Sequence, residues 1–318
     1  RQMCIRDRTV NTVNFSTKKF SWNTTLTLSH NKNSVKALTG EAVQLYEAKF
    51  GFNQNTHRIA VGEPLGQFYG YITEGLYQVD DFNYDASTQT YTLKDGVPYH
   101  GDKGQIRPGM WKFKNLTGDD NVIDENDKTV IGNAQPKFYG GLNNSFTYKG
   151  FDLSIFLTFS YGNEVLNATK LVTSKVGSLN YNALDVMNSS NRWMTINSDG
   201  QKVTDPGELA ALNAGKTVAA YHDAQQGDNY IHSWAVEDAS YLKLSNVTLG
   251  YTFPKNLIAR VGLKNLRLYA TGNNLLTWTK YSGFDPEVST MKSGLTPGVD
   301  FGAYPLSRSF IFGLNVAF

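Results

Sequence analysis

FYGGLNNSFTYKGFDLSIFLTFSY, residues 138–161, decides the fold class. Its side chains alternate at period two, the spacing that places every second residue on one face of an extended strand. Phe138, Gly140, Leu142, Asn144, Phe146 and Tyr148 share a face, opposite Tyr139, Gly141, Asn143, Ser145 and Thr147. In the second run Phe151, Leu153, Ile155, Leu157, Phe159 and Tyr161 oppose Asp152, Ser154, Phe156, Thr158 and Ser160. Only Lys149 and Gly150 lie between the runs, which makes a tight antiparallel hairpin with aromatic residues beside the turn. Each run is about 11 residues long, close to the roughly 9 to 11 that cross a bilayer at a tilt and longer than the roughly 5 to 6 usual in soluble strands.

The same alternation recurs outward from this hairpin. Phe20, Trp22, Leu26 and Leu28 alternate with Ser21, Asn23, Thr25, Thr27 and Ser29. Val247, Leu249, Tyr251 and Phe253 do the same until Pro254 ends the ladder, and Leu266, Leu268 and Ala270 follow after a short connection. The chain closes on Phe310, Phe312, Leu314, Val316 and Phe318. With weaker candidates at 9–16, 50–61 and 66–78, the pattern predicts about nine strands of an all-β, antiparallel transmembrane β-barrel portion. Connections near 17–19, 63–65 and 149–150 are short, whereas 79–135 and 162–237 far exceed the roughly 12 to 15 residues beyond which loops in compact domains are uncommon. Short turns at one rim and two long extracellular loops at the other are the asymmetry of outer-membrane barrels.

Composition agrees. Aromatic residues make up 13% of the 318 residues, with 18 Tyr and 18 Phe, while charged residues make up only 18%. A net charge of +2 without any Lys/Arg-rich run gives no footprint for nucleic acid. Mean hydropathy is −0.38 and no stretch approaches the roughly 20 apolar residues of a membrane-spanning helix, a test that strands of alternating polarity escape. The single cysteine, Cys4, has no partner for an internal disulfide. It lies in residues 1–8, RQMCIRDR, which carry four charges and lack the apolar stretch of a signal peptide. This segment resembles a string found at the ends of proteins translated from metagenomic assemblies and is expected to be a non-native leader before the barrel portion at 9–318.

Several segments resemble, in order, the C-terminal barrel half of SusC/RagA-type TonB-linked outer-membrane proteins (TonB-dependent receptors) of the Bacteroidota. They are Phe68-Tyr69-Gly70-Tyr71, Asp124-Glu125-Asn126-Asp127 with Val130-Ile131-Gly132-Asn133, and Tyr148-Lys149-Gly150-Phe151-Asp152-Leu153-Ser154. Leu242 to Tyr251, Leu268-Tyr269-Ala270-Thr271-Gly272-Asn273-Asn274-Leu275 and Phe284-Asp285-Pro286-Glu287 complete the set. The resemblance implies a barrel of about 22 strands filled by an N-terminal plug. It further implies residence in the cell outer membrane, nutrient uptake of oligosaccharides or peptides energised by TonB, and a SusD-like surface lipoprotein closing over the mouth. Plug, TonB box and the remaining strands are not in these residues, so the chain is expected to be a fragment, the C-terminal wall of such an importer. The other reading is a surface β protein or adhesin that does not transport.

Candidate sites follow from residue type. Loop aromatics Trp111, Trp193, Tyr221, Tyr230 and Trp234 are candidate substrate contacts, because sugars and peptides both lay apolar faces on Tyr and Trp. Packing of these rings within the loops is the competing account. The stretch from Asn115 to Asp127 looks like an acidic calcium loop with candidate ligands Asp119, Asn121, Asp124 and Asp127, but lacks Gly at the sixth position and Glu at the twelfth. Phe310, Phe312, Leu314, Val316 and Phe318 resemble the terminal signal read by the barrel-assembly machinery. The histidines, His30, His57, His100, His222 and His232, show no metal-ligand spacing and read as loop-surface residues. Neither a Gly-x-Ser-x-Gly elbow nor a Walker loop is present, so the chain is not expected to be an enzyme, and no cofactor other than calcium is expected.

Overall fold

The computed structural model describes residues 2–47, 54–118, 120–174, 182–220, 230–290 and 293–318. Its largest element is a seven-stranded antiparallel sheet in which sequence neighbours are always spatial neighbours. The strands are β1 (Gln2–Ser16), β2 (Phe20–Ser34), β3 (Phe138–Tyr148), β4 (Phe151–Tyr161), β5 (Tyr241–Thr252), β6 (Asn265–Thr279) and β7 (Ser309–Ala317). The hairpin at 138–161 forms as its alternation predicts, pairing Phe138 with Tyr161 and Tyr148 with Phe151 without a register shift. Lys149 and Gly150 both take positive φ, the two-residue turn geometry whose twist matches a hairpin. The sheet is open, with β1 and β7 as its edges.

Register extends the two faces across the strands. Leu157 pairs with Leu142 on one side and Leu244 on the other, and Leu249, Ala270 and Phe312 continue one apolar face toward β7. These side chains stay in contact with solvent: Leu249 is 50% exposed and Phe312 81%. Among the described residues nothing covers this apolar face. The opposite face is polar and tied by cross-strand hydrogen bonds, among them Thr158 with Ser245, Thr248 with Thr271 and Asn246 to Asn273. There Arg267 of β6 reaches over β5 to grip both oxygens of Asp152 on β4. The residue beneath is Gly250, where any side chain would collide with both partners. Segment 2–8 pairs with β2, which puts Arg6 opposite His30 and Arg8 opposite Leu28 on the apolar side.

Two of the predicted strands are not wall strands. Of the first, 50–53 lie outside the described residues; the described residues of 54–61 and 66–78 supply Asn55–Ala60 and Gln67–Gly70, neighbours in one four-stranded sheet, and Thr73–Leu76 in a two-stranded one, all apart from the seven-stranded sheet. In Asn55–Ala60, Asn55 is exposed, but Thr56, His57, Ile59 and Ala60 are buried and Arg58 half-buried, so from Thr56 on the strand packs inside protein on both sides. The turn at 63–65 is therefore not a rim turn, and the first long connection runs from 35 to 137. A third long connection, 280–308, joins β6 to β7. All three leave the same rim, and the short turns after β1, β3 and β5 share the other.

The three connections fold into a single layer that holds the buried core. One cluster takes Phe68 from the first connection, Leu166, Ala168, Leu171, Ile231 and Ala235 from the second, and Val299 from the third. Short ladders repeat the theme, with Leu166 pairing to both Val236 and Val299.

Candidate functional site

The seam between the first two connections is built on Phe68-Tyr69-Gly70-Tyr71. Phe68 is fully buried, and Gly70 lies so close to the Ile231 backbone that a side chain would collide with its carbonyl. That approach lets the Tyr71 N–H donate to the Ile231 carbonyl at 2.9 Å while the Ser233 N–H donates back to the Tyr71 carbonyl at 2.9 Å. Aromatic rings then fill the seam. Tyr71 stacks on Phe113 with centroids 5.2 Å apart and meets Tyr230 edge-on at 5.3 Å. Phe113 meets His232 at 5.3 Å, His232 meets Trp111 at 5.0 Å, and Trp111 meets Trp234 at 4.9 Å. Lys170 places its ammonium 4.0 Å over the Trp234 ring, within cation–π range.

Three of the candidate contacts, Trp111, Tyr230 and Trp234, are thus brought together, each half-buried. Trp193 is not among them. It is 2% exposed in a different cluster with Leu76, Val203 and Leu209, and Gly109 lies against its indole ring. Tyr221 lies outside the described residues. The reading of the histidines as surface groups is corrected for three of them: His57, His100 and His232 are buried, while His30 is exposed and His222 lies outside the described residues. Burial holds His100 down to about 4, and holds His57 to about 4 against the opposing pull of the Pro297 carbonyl. Sequence reasoning missed Tyr71, His100, Phe113, Lys170 and His232. The Phe68–Tyr71 motif was the available signal, since a Gly between aromatic residues in a strand marks a close backbone approach.

In the acidic loop, Asp127 is fully buried and acts as an acceptor. Its Oδ1 takes the N–H groups of Leu116 and Thr117 at 2.6 and 2.8 Å, and its Oδ2 takes the Asp124 N–H at 2.8 Å. Burial alone would raise this carboxyl, but the backbone donors of Asp124, Leu116 and Thr117 with the Thr117 hydroxyl bring it below the ordinary carboxylate value. Asp124 is exposed and accepts from the Asn126 N–H and side-chain amide. Asn121 is exposed, with its carbonyl taken by the Tyr99 N–H, and Asp119 lies outside the described residues. Hydrogens point at the oxygens a cation would need, so the described residues fit a hydrogen-bonded turn better than a calcium cage. Among the described residues no group of three or more His, Cys, Asp or Glu side chains is placed to hold a metal ion.

The terminal row Phe310, Phe312, Leu314, Val316 and Phe318 projects from the edge strand β7, with exposures of 67, 81, 58, 38 and 80%. No family model matches the chain. TonB-dependent receptor P3 of Formosa agariphila is 33% identical over 316 residues, covering 97% of this chain and 28% of that protein. TonB-dependent receptor P39 of the same organism is 30% identical over 323 residues, and TonB-dependent receptor SusC of Bacteroides thetaiotaomicron is 27% identical over 315 residues, 25% of its length. The fold matches the structure of the RagAB peptide transporter with a TM-score of 0.67 over 99% of this chain and 29% of that one, at 20% identity.

The chain is a homologue of the SusC/RagA-type TonB-dependent receptors.

It spans about 28% of the length of the TonB-dependent receptors it matches. Those receptors are transporters rather than enzymes, and in the Bacteroidota they are outer-membrane proteins. In this receptor homologue the second and third connections are joined by Glu237. Its carboxylate accepts from the Ser282 N–H and hydroxyl, each at 2.9 Å, and from the Lys170 ammonium at 3.0 Å. Burial would raise Glu237, but these donors hold it below the ordinary value. Lys170 thereby links the aromatic seam to the third connection.

Proposed function

We propose that the chain is wall and outer-surface layer of an outer-membrane importer for oligosaccharides or peptides. The supporting observation is the combination of an uncovered apolar face, a polar opposite face and three long connections leaving one rim. In this reading β1 to β7 are about a third of a barrel of roughly 22 strands, the apolar face meets lipid and the polar face lines the interior. The three connections lie outside the cell, and the half-buried rings of Trp111, Tyr230 and Trp234 with Lys170, seated on the buried Tyr71, are the contacts offered to substrate or to a SusD-like lipoprotein lid. TonB drives the import through parts of the protein outside this chain. The terminal β7 row carries the barrel-assembly signal.

The test is uptake. The intact protein should fractionate with the outer membrane, and growth on its substrate should require TonB. Candidate oligosaccharides and peptides are supplied in turn, since the relatives leave that choice open. A protein that reaches the surface and supports no TonB-dependent uptake would be the non-transporting adhesin instead.

A further inference from the structure

On the polar face near the long-connection rim, Lys243 of β5 is 3% exposed although lysine is rarely buried without a partner. Its partners come from the third connection. The ammonium contacts Glu287 and lies 3.6 Å from Asp285, and the Tyr241 hydroxyl, two residues away on the same face, donates to Glu287 at 2.5 Å. Two alternate residues of a strand thus hold two alternate residues of the Phe284-Asp285-Pro286-Glu287 motif, with Pro286 between them.

The rest of the third connection is fastened differently. The Tyr281 hydroxyl donates to the buried Asp300 carboxylate at 2.5 Å, Val299 pairs with Leu166, and Thr290 donates both its N–H and its hydroxyl to the Val299 carbonyl. Tyr281 packs with Val165 and Ala239. This attachment is apolar and hydrogen-bonded, whereas the one at Lys243 is ionic. Residues 283–286 form one wall of a cavity of about 310 Å3 whose other sides include Lys243, Thr277, Thr279 and Arg308. On that wall Phe284 is 77% exposed and only Pro286 is buried, while Val288 just beyond packs with Tyr281, Val165 and Ala239, so between Gly283 and Glu287 the ion pairs supply most of the hold.

We infer that the segment around Asp285–Glu287 is the releasable middle of a strap fastened permanently on both sides, by Tyr281 before it and by Thr290 and Val299 after it, and that Lys243 is the latch. Release swings the 283–286 wall away from the polar face and opens the cavity, while Val299 and Asp300 stay seated on the second connection. The device stands whether the substrate is a glycan or a peptide, and independently of transport.

Hydrogen exchange on the full-length protein in detergent tests it. In K243M, exchange at 283–287 should rise by about tenfold while peptides covering 164–167 and 299–300 keep wild-type protection, and K243R should restore the segment. If K243M does not insert, the pair D285N/E287Q removes the opposing charges from the segment side, leaves Lys243 without its ionic partners and should give the same selective change. Unchanged exchange at 283–287, or loss of protection at 283–287 together with 164–167 and 299–300, overturns the latch. Loss of TonB-dependent uptake is a separate readout, so failure of the importer reading and failure of the latch are distinguishable.

Discussion

Asp127 shows how one side chain organises a loop. It gathers backbone donors from Leu116, Thr117 and Asp124 in a buried position, a role that the acidic spacing of the sequence suggested for a cation instead. Hydrogen bonds to a charged group are each worth about 1.5 to 3 kcal/mol, so D127A should destabilise the loop layer by roughly 3 kcal/mol, read as a lower urea midpoint. Because folding lowers this carboxyl, its stabilisation is complete above its ordinary value of 3.8 and is lost as pH falls through the lowered folded value. D127N should blunt that acid-side loss. Calorimetric titration of calcium into the folded protein should give no heat; a saturable signal would restore the cage.

At the scale of elements, β7 is an edge on which Phe310, Phe312, Leu314 and Val316 share one face, with Phe318 directly after its end, while Ile311, Gly313 and Asn315 turn to the other. Gly313 is required there because the Tyr269 ring of β6 lies across it. Removing Phe318 leaves every β6–β7 pair from Asn265 to Asn273 in place, so strand formation should survive. Surface levels of the full-length protein should fall several-fold nonetheless; unchanged insertion would show that Phe318 is only a lipid-facing ring. The seam at Gly70 belongs to this scale too, since the first and second connections meet there by backbone pairing that no single strand pattern contains.

For the whole molecule, the sheet and the loop layer follow opposite rules. The sheet exposes its apolar residues, and the layer above buries its own. Leu314, opposite Leu268 in the middle of the outward band, should therefore tolerate arginine poorly: L314R should cost roughly 2 to 4 kcal/mol in vesicle folding assays, and T147K on the polar face far less. The layer should answer to pH. His57 and His100 are held to about 4, against an ordinary 6.5 that the unfolded chain regains. The unfolded state then takes up protons first, so stability is full above pH 6.5, falls as pH drops toward 4 and levels off below. H100F should remove part of that slope when loop unfolding is followed by tryptophan fluorescence; an unchanged slope would assign it elsewhere.

Alternation at 138–161 and in its counterparts was enough to read the hairpin, the two faces and the antiparallel wall. A period of two is a local property, and each strand declares its own faces whatever lies beside it. The family, too, was legible in short motifs kept in order. What the sequence left open depends on segments far apart in the chain. Residues 54–61 and 66–78 show strand character but are drawn into the loop layer, because propensity does not say which sheet a strand joins. Trp193 and Trp234 are the same residue type in the same connection, yet Gly109 closes over one and Lys170 caps the other. Lys243 lies far from Asp285 and Glu287 in sequence. Only the packing of three connections above one rim placed the aromatic seam and the latch, since burial and charge pairing are set by the neighbours that tertiary structure supplies.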